Sequence, residues 1–152
     1  MIPSTVGRVP RQTAEHVNDR IRRQTDESVA RVATAGPGAI DRRLAELERE
    51  WDIERTLEAN AATAVLVGSA LGALADRRFF VLPAVVAGFL LQHAVQGWCP
   101  PLPLFRRSGV RTAAEIGYER YALKAIRGDF ARAEGAIGGR SDASRVVEAA
   151  RQ

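Results

Sequence analysis

"ALADRRFFVLPAVVAGFLLQHAVQGWCPPLPLFRRSG", residues 73–109, sets a short charged cluster, Asp76, Arg77 and Arg78, before a run from Phe79 to Trp98 that holds no Asp, Glu, Lys or Arg. A second charge-free run, Ala59 to Ala75, lies directly upstream. At 1.5 Å per helical residue the two runs reach roughly 25 and 30 Å, against a hydrocarbon core of about 30 Å. The stretch therefore predicts two helices joined through 76–78 and lying in a bilayer. The second run is rich in Phe, Val and Leu and inserts by itself. The first has only Val65, Leu66, Val67, Leu71 and Leu74 and is expected to enter as half of a hairpin.

The charges lie outside these runs. Residues 1–58 carry 10 Lys/Arg and 11 Asp/Glu, residues 76–78 carry 2 and 1, and residues 99–152 carry 10 and 6, which places the net +4 C-terminal to the first run. A modest local excess of this kind suits anionic lipid headgroups and not a nucleic-acid duplex, which wants a continuous basic stripe. No nucleic-acid partner is expected. Arg49 and Arg55 precede the spans, and Arg106, Arg107 and Arg111 follow them, against Arg77 and Arg78 in the turn. This bias predicts both termini in the cytoplasm. The first twenty residues carry no apolar core of a signal peptide, so insertion is expected from the internal runs.

Small residues supply a means of packing. Ala64, Gly68 and Gly72 recur every four residues in the first run, and Ala84 and Gly88 do so in the second, a row that continues through Gln92 and Gln96. These seven positions are the expected helix-packing face. His93 lies beside that row, close enough to the span's end to be hydrated.

Working outward, residues 1–36 form a charged N-terminal segment: a disordered lead to about residue 12, then a weak helix at 13–34. Its stripe of Val17, Ile21, Val29 and Val32 is interrupted by Gln24, Thr25 and Ser28. After the Gly-Pro-Gly break at 36–38, residues 37–58 read as a juxtamembrane amphipathic helix with a seam of Ile40, Leu44, Leu47 and Trp51 and an Arg42–Glu46 surface pair, continuous with the first span. The hairpin occupies 59–98. Residues 99–111, "CPPLPLFRRSGVR", read as a Pro-rich interfacial loop. Thr112 and Glu115 have the spacing of a capping box and open a helix at 112–132, with Ile116, Leu123, Ile126 and Phe130 on one face and Arg120, Lys124 and Arg127 beside it. Residues 133–152 read as a flexible tail. The fold class expected is all-α, a two-helix transmembrane hairpin with cytoplasmic amphipathic helices on both sides.

The chemistry-bearing residues are few. Cys99 is the single cysteine, so an internal disulfide is excluded, and no motif for a metal, a phosphate or a catalytic triad occurs. No catalytic residue, metal or cofactor is expected. Cys99 is a candidate thiol, or else a small apolar residue at a helix end, where the dipole disfavours a thiolate. Arg106, Arg107, Arg111, Arg120, Lys124 and Arg127 are the candidate contacts to lipid headgroups.

A hydrophobic hairpin whose second helix ends in Gly-x-Cys-Pro, here Gly97, Trp98, Cys99 and Pro100, resembles the small bacterial inner-membrane family of unknown function that forms the transmembrane part of YgaP-type rhodaneses. The likeness covers about residues 50–110. It implies a two-helix inner-membrane domain that associates as a homodimer. The sequence departs from the fused members in having no rhodanese domain and in its long N-terminal and C-terminal segments. The function expected is a non-enzymatic membrane scaffold or anchor that contacts lipid heads, or a protein partner through its N-terminal or C-terminal helices. The alternatives are a sulfur-handling membrane protein that uses Cys99 beside a separate sulfurtransferase, and a soluble helical bundle.

Overall fold

The computed structural model describes residues 7–130, and among them every regular element is helical. In chain order these are α1 (Arg8–Arg11), α2 (Glu15–Thr34), α3 (Pro37–Arg49), α4 (Ile53–Leu74), a 3-10 helix at Arg77–Phe80, α5 (Val81–Gln96), α6 (Leu102–Arg107) and α7 (Ala113–Arg127). The described residues fall into two compact units, one within Met1–Arg23 and Trp51–Ala113, the other within Gln24–Glu50 and Ala114–Gln152. The expected tail at 133–152 lies outside the described residues.

In the first unit α4 and α5 pack against each other through the glycines of α4. A Cβ built on Gly68 would stand 2.7 Å from Cδ of Pro83, and one on Gly72 would stand 2.9 Å from the Phe80 ring. Only glycine admits those neighbours. The turn between the helices is built by Asp76, whose carboxylate accepts a hydrogen bond from the Arg78 N–H at 2.8 Å and caps the 3-10 helix. Phe79 and Phe80 thus belong to the turn. At the other end of α5, Gly97 adopts a left-handed conformation (φ 76°) and donates its N–H to the His93 carbonyl at 2.8 Å, which stops the helix at Gln96.

Around that end lies the unit's core of Val9, Ile53, Leu57, Cys99 and Leu102, with Trp98, Phe105 and Val110 against it. Two sequence readings are corrected here. Residues 7–12 are not a loose lead: α1 buries Val9 to 3 % exposure. Residues 99–111 are not all loop: α6 forms with Pro101 as its N-cap and Pro103 in its first turn, where a missing N–H costs no helical bond.

A buried cation holds α6 to the start of α2. Arg106 is fully buried, and its guanidinium donates to Thr13 Oγ1 (3.2 Å), Asn18 Oδ1 (2.9 Å) and the Val110 carbonyl (3.0 Å).

The predicted continuity of residues 37–58 is also corrected. Glu50 has extended backbone (ψ 129°), and Asp52 caps a new helix by accepting from Arg55 N at 2.8 Å. Trp51 consequently leaves the seam, 48 % exposed, and lies under the Arg55 guanidinium, 4.5 Å from ring centroid to Cζ.

The second unit is organised by Ile40, Leu44 and Leu47 of α3 against Ile116 and Leu123 of α7, with Val29 and Val32 of α2 beside them. Thr25 and Ser28 do not interrupt the face of α2, since both are buried on it. Ser28 donates to Glu119 at 2.7 Å, and Arg43 donates to the same carboxylate through Nε (2.9 Å) and Nη2 (3.1 Å). Glu119 is fully buried, and its two-pronged grip raises the Arg43 guanidinium well above its ordinary value. Glu46 pairs with Arg43 (3.0 Å), not with Arg42. Helix α7 stops at Arg127, short of the expected residue 132, because Gly128 takes a positive φ of 86°.

Candidate functional site

The structure brings chemistry-bearing side chains together at the end of the α4/α5 pair that carries the core. Glu54 lies in the first turn of α4 and His93 in the last turn of α5. His93 Nε2 is 2.7 Å from Glu54 Oε2. Arg8 of α1 completes a row, with Nη2 3.6 Å from Glu54 Oε1 and Nη1 donating to the Ala94 carbonyl. Gly97 lets α1 approach so closely, since a Cβ there would stand 2.7 Å from Arg8 Cβ and Cγ.

His93 is 5 % exposed, so it is a packed residue and not a hydrated one. The face of α5 turned to α4 runs through Pro83, Val86, Leu90 and His93, each partly or fully buried. The expected packing row is one position out of phase. Ala84, Gly88 and Gln96 are exposed, Gln92 is half-buried, and nothing lies within 4 Å of a Cβ built on Gly88. The α4 half of the expectation, Ala64, Gly68 and Gly72, does face inward, with both glycines buried and Ala64 half-buried.

Beside His93 a groove of about 250 Å³ runs between α4 and α5 under α6. Leu57, Ala61, Ala64, Val86, Leu90 and Phe105 line it, together with the buried His93 and Cys99 and the exposed Asn60 and Phe89. His93 Nδ1 is shielded from water and has no hydrogen-bond partner. Neither the Glu54 partner nor the groove was legible from single-residue motifs; a carboxylate in the first turn of one helix and a His in the last turn of the next was the available signal.

Cys99 is 4 % exposed within the core. Burial pushes its thiol up, the Leu102 N–H opposes this, and the Glu54 carboxylate adds to the rise. That is the setting of a small apolar filler, not of an activated thiolate. The Gly-x-Cys-Pro ending has a structural account: Gly97 stops α5, Cys99 fills the core and accepts the Leu102 N–H through its carbonyl (3.1 Å), and Pro100 and Pro101 lead into α6.

The proposed headgroup cations divide. Arg106 and Arg111 are buried and do not face lipid heads. Arg120 donates to the Leu47 carbonyl at 3.2 Å, and Arg127 is held by Asp41 and Asp129, both at 2.6 Å. Arg107 is exposed and Lys124 half-buried. On α7, Ile126 is also exposed (51 %), so its inward face is Ile116, Glu119 and Leu123. Among the described residues no cluster of three or more His, Cys, Asp or Glu is arranged to hold a metal ion.

No protein-family model matches this chain, and neither does any curated protein or any solved structure. Among the described residues two helical stretches are long and apolar enough to cross a membrane: one within Pro37–Leu74, of mean hydropathy 1.4 and 17 % buried, and one at Arg77–Gln96, of mean hydropathy 1.7 and 6 % buried.

Proposed function

We propose that this chain is a non-enzymatic integral membrane protein in which α4 and α5 cross the bacterial inner membrane as a hairpin and anchor amphipathic helices on the cytoplasmic side. The observation that carries the reading is the exposure of large apolar side chains all along the pair. Leu66 (71 %), Leu74 (88 %), Val81 (64 %) and Leu91 (67 %) face outward, whereas the central helices of a soluble bundle would be covered. Polar groups within α4 also suit lipid: Asn60 donates to the Thr56 carbonyl and Thr63 to that of Ala59, both at 2.8 Å, so they bond within their own helix. Trp51 stacked under Arg55 suits a headgroup layer at one end.

Orientation rests on the arginine bias around the spans, which favours both termini in the cytoplasm. A homodimer is part of the proposal. It is implied by the resemblance at Gly-x-Cys-Pro and supported by the open row of Ala84, Gly88, Gln92 and Gln96 on α5. The decisive experiment is alkaline carbonate extraction of membranes with reporter fusions at both ends. Retention in the membrane pellet, with reporters active only as cytoplasmic ones, is expected. Release into the supernatant sinks the membrane reading, and a periplasmic signal at either end sinks the topology.

A further inference from the structure

We propose that the outer surface of the α4/α5 pair fits a bilayer thinner than the ordinary one, and that the lipids it gathers are those with short acyl chains. This rests on the membrane reading and adds the thickness of the partner to it. Two levels of charge bound the apolar surface of α4. At one end stand Asp76, Arg77 and Arg78 of the turn, all exposed; at the other stands Glu58, exposed and one helical turn further along α4 than Glu54. Between them the charge-free run Ala59–Ala75 reaches roughly 25 Å, against a hydrocarbon core of about 30 Å. On the other helix the unbroken apolar stretch Phe79–Leu91 reaches roughly 20 Å before Gln92, His93 and Gln96 bring polar groups to the last turns. Tilt enlarges the deficit, since it shortens the reach of a helix along the bilayer normal.

The fold gives the pair little means of stretching. His93 meets Glu54 at one end and the Phe80 ring meets Gly72 at the other, so the register of the two helices is held and they cannot slide to lengthen the apolar band. Glu58 has a short side chain and, among the described residues, no ion pair or hydrogen bond, so its charge stays near its own turn of α4. The Asp76 carboxylate is tied to the Arg78 N–H at 2.8 Å. Arg77 and Arg78 have stems long enough to reach outward, which relieves the tip alone. A span too short for its surroundings thins the bilayer around it, and lipids with short chains meet that demand at the least cost.

The test uses the full chain in vesicles, with Leu66→Trp as an outward-facing reporter near the middle of α4. Brominated dioleoyl phosphatidylcholine quenches the reporter, and phosphatidylcholines with dimyristoleoyl, dipalmitoleoyl, dioleoyl and dierucoyl chains compete with it. Dipalmitoleoyl lipid should bind about three- to tenfold more tightly than dierucoyl lipid. Glu58→Leu extends the apolar run to Thr56–Ala75, roughly 30 Å, and should move the optimum to longer chains. Thr63→Leu adds apolar character inside the run without lengthening it and should leave the optimum in place. A profile that is flat or favours dierucoyl lipid, an optimum that Glu58→Leu does not move, or one that Thr63→Leu moves equally, overturns the proposal while the protein still floats with the vesicles in a density gradient. A chain that does not float overturns the membrane reading together with it, so the two failures are told apart.

Discussion

The vacant Cβ position of Gly68 stands 2.7 Å from Cδ of Pro83, and with the approach of Gly72 to the Phe80 ring it sets how closely α4 meets α5. The Pro83 ring is stiff and sits in the first turn of α5, where its missing N–H breaks no helical bond. Any side chain at 68 must therefore push the helices apart. Gly68→Leu is expected to destabilise the first unit by about 1–3 kcal/mol, the usual penalty of overpacking. Gly88→Leu, at an open position of the facing helix, should leave the isolated protein's unfolding unchanged. Thermal unfolding in detergent, followed by circular dichroism, distinguishes the two; equal midpoints would show that the glycine contact does not hold the pair.

Gly97 carries two constraints at once, a positive φ of 76° and the close pass of Arg8. Gly97→Ala should cost about 1–2 kcal/mol from backbone conformation alone, and more from the contact with α1. Shortening Arg8 removes part of that second cost. In the Gly97→Ala, Arg8→Ala double variant the loss should be smaller than the sum of the two single losses, read in the same unfolding assay. Strict additivity would mean that α1 is not held against the end of α5.

In the second unit, Glu119 is fully buried and joined to Arg43 and Ser28. Removing one partner leaves a charge or a set of donors uncompensated, and for buried pairs such a loss costs about 3–5 kcal/mol. Arg43→Met should therefore be severely destabilising, whereas Arg43→Met combined with Glu119→Leu should recover much of the loss. Chemical denaturation measures both. A double variant no better than the single one would place the stabilisation in packing and not in the pair.

The elements that were legible in the sequence are those set by composition and strong local signals: two charge-free runs, the break at Gly36–Gly38, and the start of α7 at Ala113. What escaped depended on partners far away in the chain. Thr25 and Ser28 look like flaws in a hydrophobic stripe until Glu119 is placed opposite Ser28. Pro100, Pro101 and Pro103 look like a loop unless the first two stand before a helix and the third in its opening turn. Arg106 reads as a headgroup cation by its position after a span, and only the tertiary fold sets Thr13, Asn18 and the Val110 carbonyl around it. The packing face of α5 was misread because small residues signal that a helix can approach, not which helix does. Pro83 and Leu82, bulkier than glycine or alanine, fit against Gly68 of α4, and Val86 and Leu90 share the partly buried face of Pro83. His93 shared their face and was missed for the same reason.

Cys99 gives a prediction in pH. Its thiol is raised from an ordinary value of 9.0, chiefly by burial. The folded chain thus keeps the proton to higher pH than the unfolded chain. The stabilisation is complete below pH 9.0 and is lost as pH rises through the folded value. Wild type should lose more stability than Cys99→Ala between neutral and strongly alkaline pH, and N-ethylmaleimide should label the folded protein slowly at neutral pH. Rapid labelling at pH 7, or parallel pH profiles of the two proteins, would show an exposed and ionised thiol and reopen the sulfur-handling reading.

The dimer proposed above now makes a sharper demand than small residues alone would. Gly68 and Gly72 are occupied within the chain by Pro83, Leu82 and Phe80, so neither is free to receive a second copy. The row of Ala84, Gly88, Gln92 and Gln96 remains, three of its members exposed and Gly88 with no atom within 4 Å of a built Cβ. Close approach of two such rows lets backbones pack and sets Gln92 and Gln96 within reach of their counterparts, where side-chain amides can bond across helices in lipid. Gly88→Leu holds those backbones apart while leaving the α4/α5 contact intact. Disulfide crosslinking in membranes, with a cysteine introduced at Ala84 in a Cys99→Ala background, should give a dimer that Gly88→Leu removes and Gly68→Leu reduces only as far as it unfolds the pair. An undiminished crosslink in the Gly88→Leu protein would move the association to another surface and leave this face of α5 to lipid.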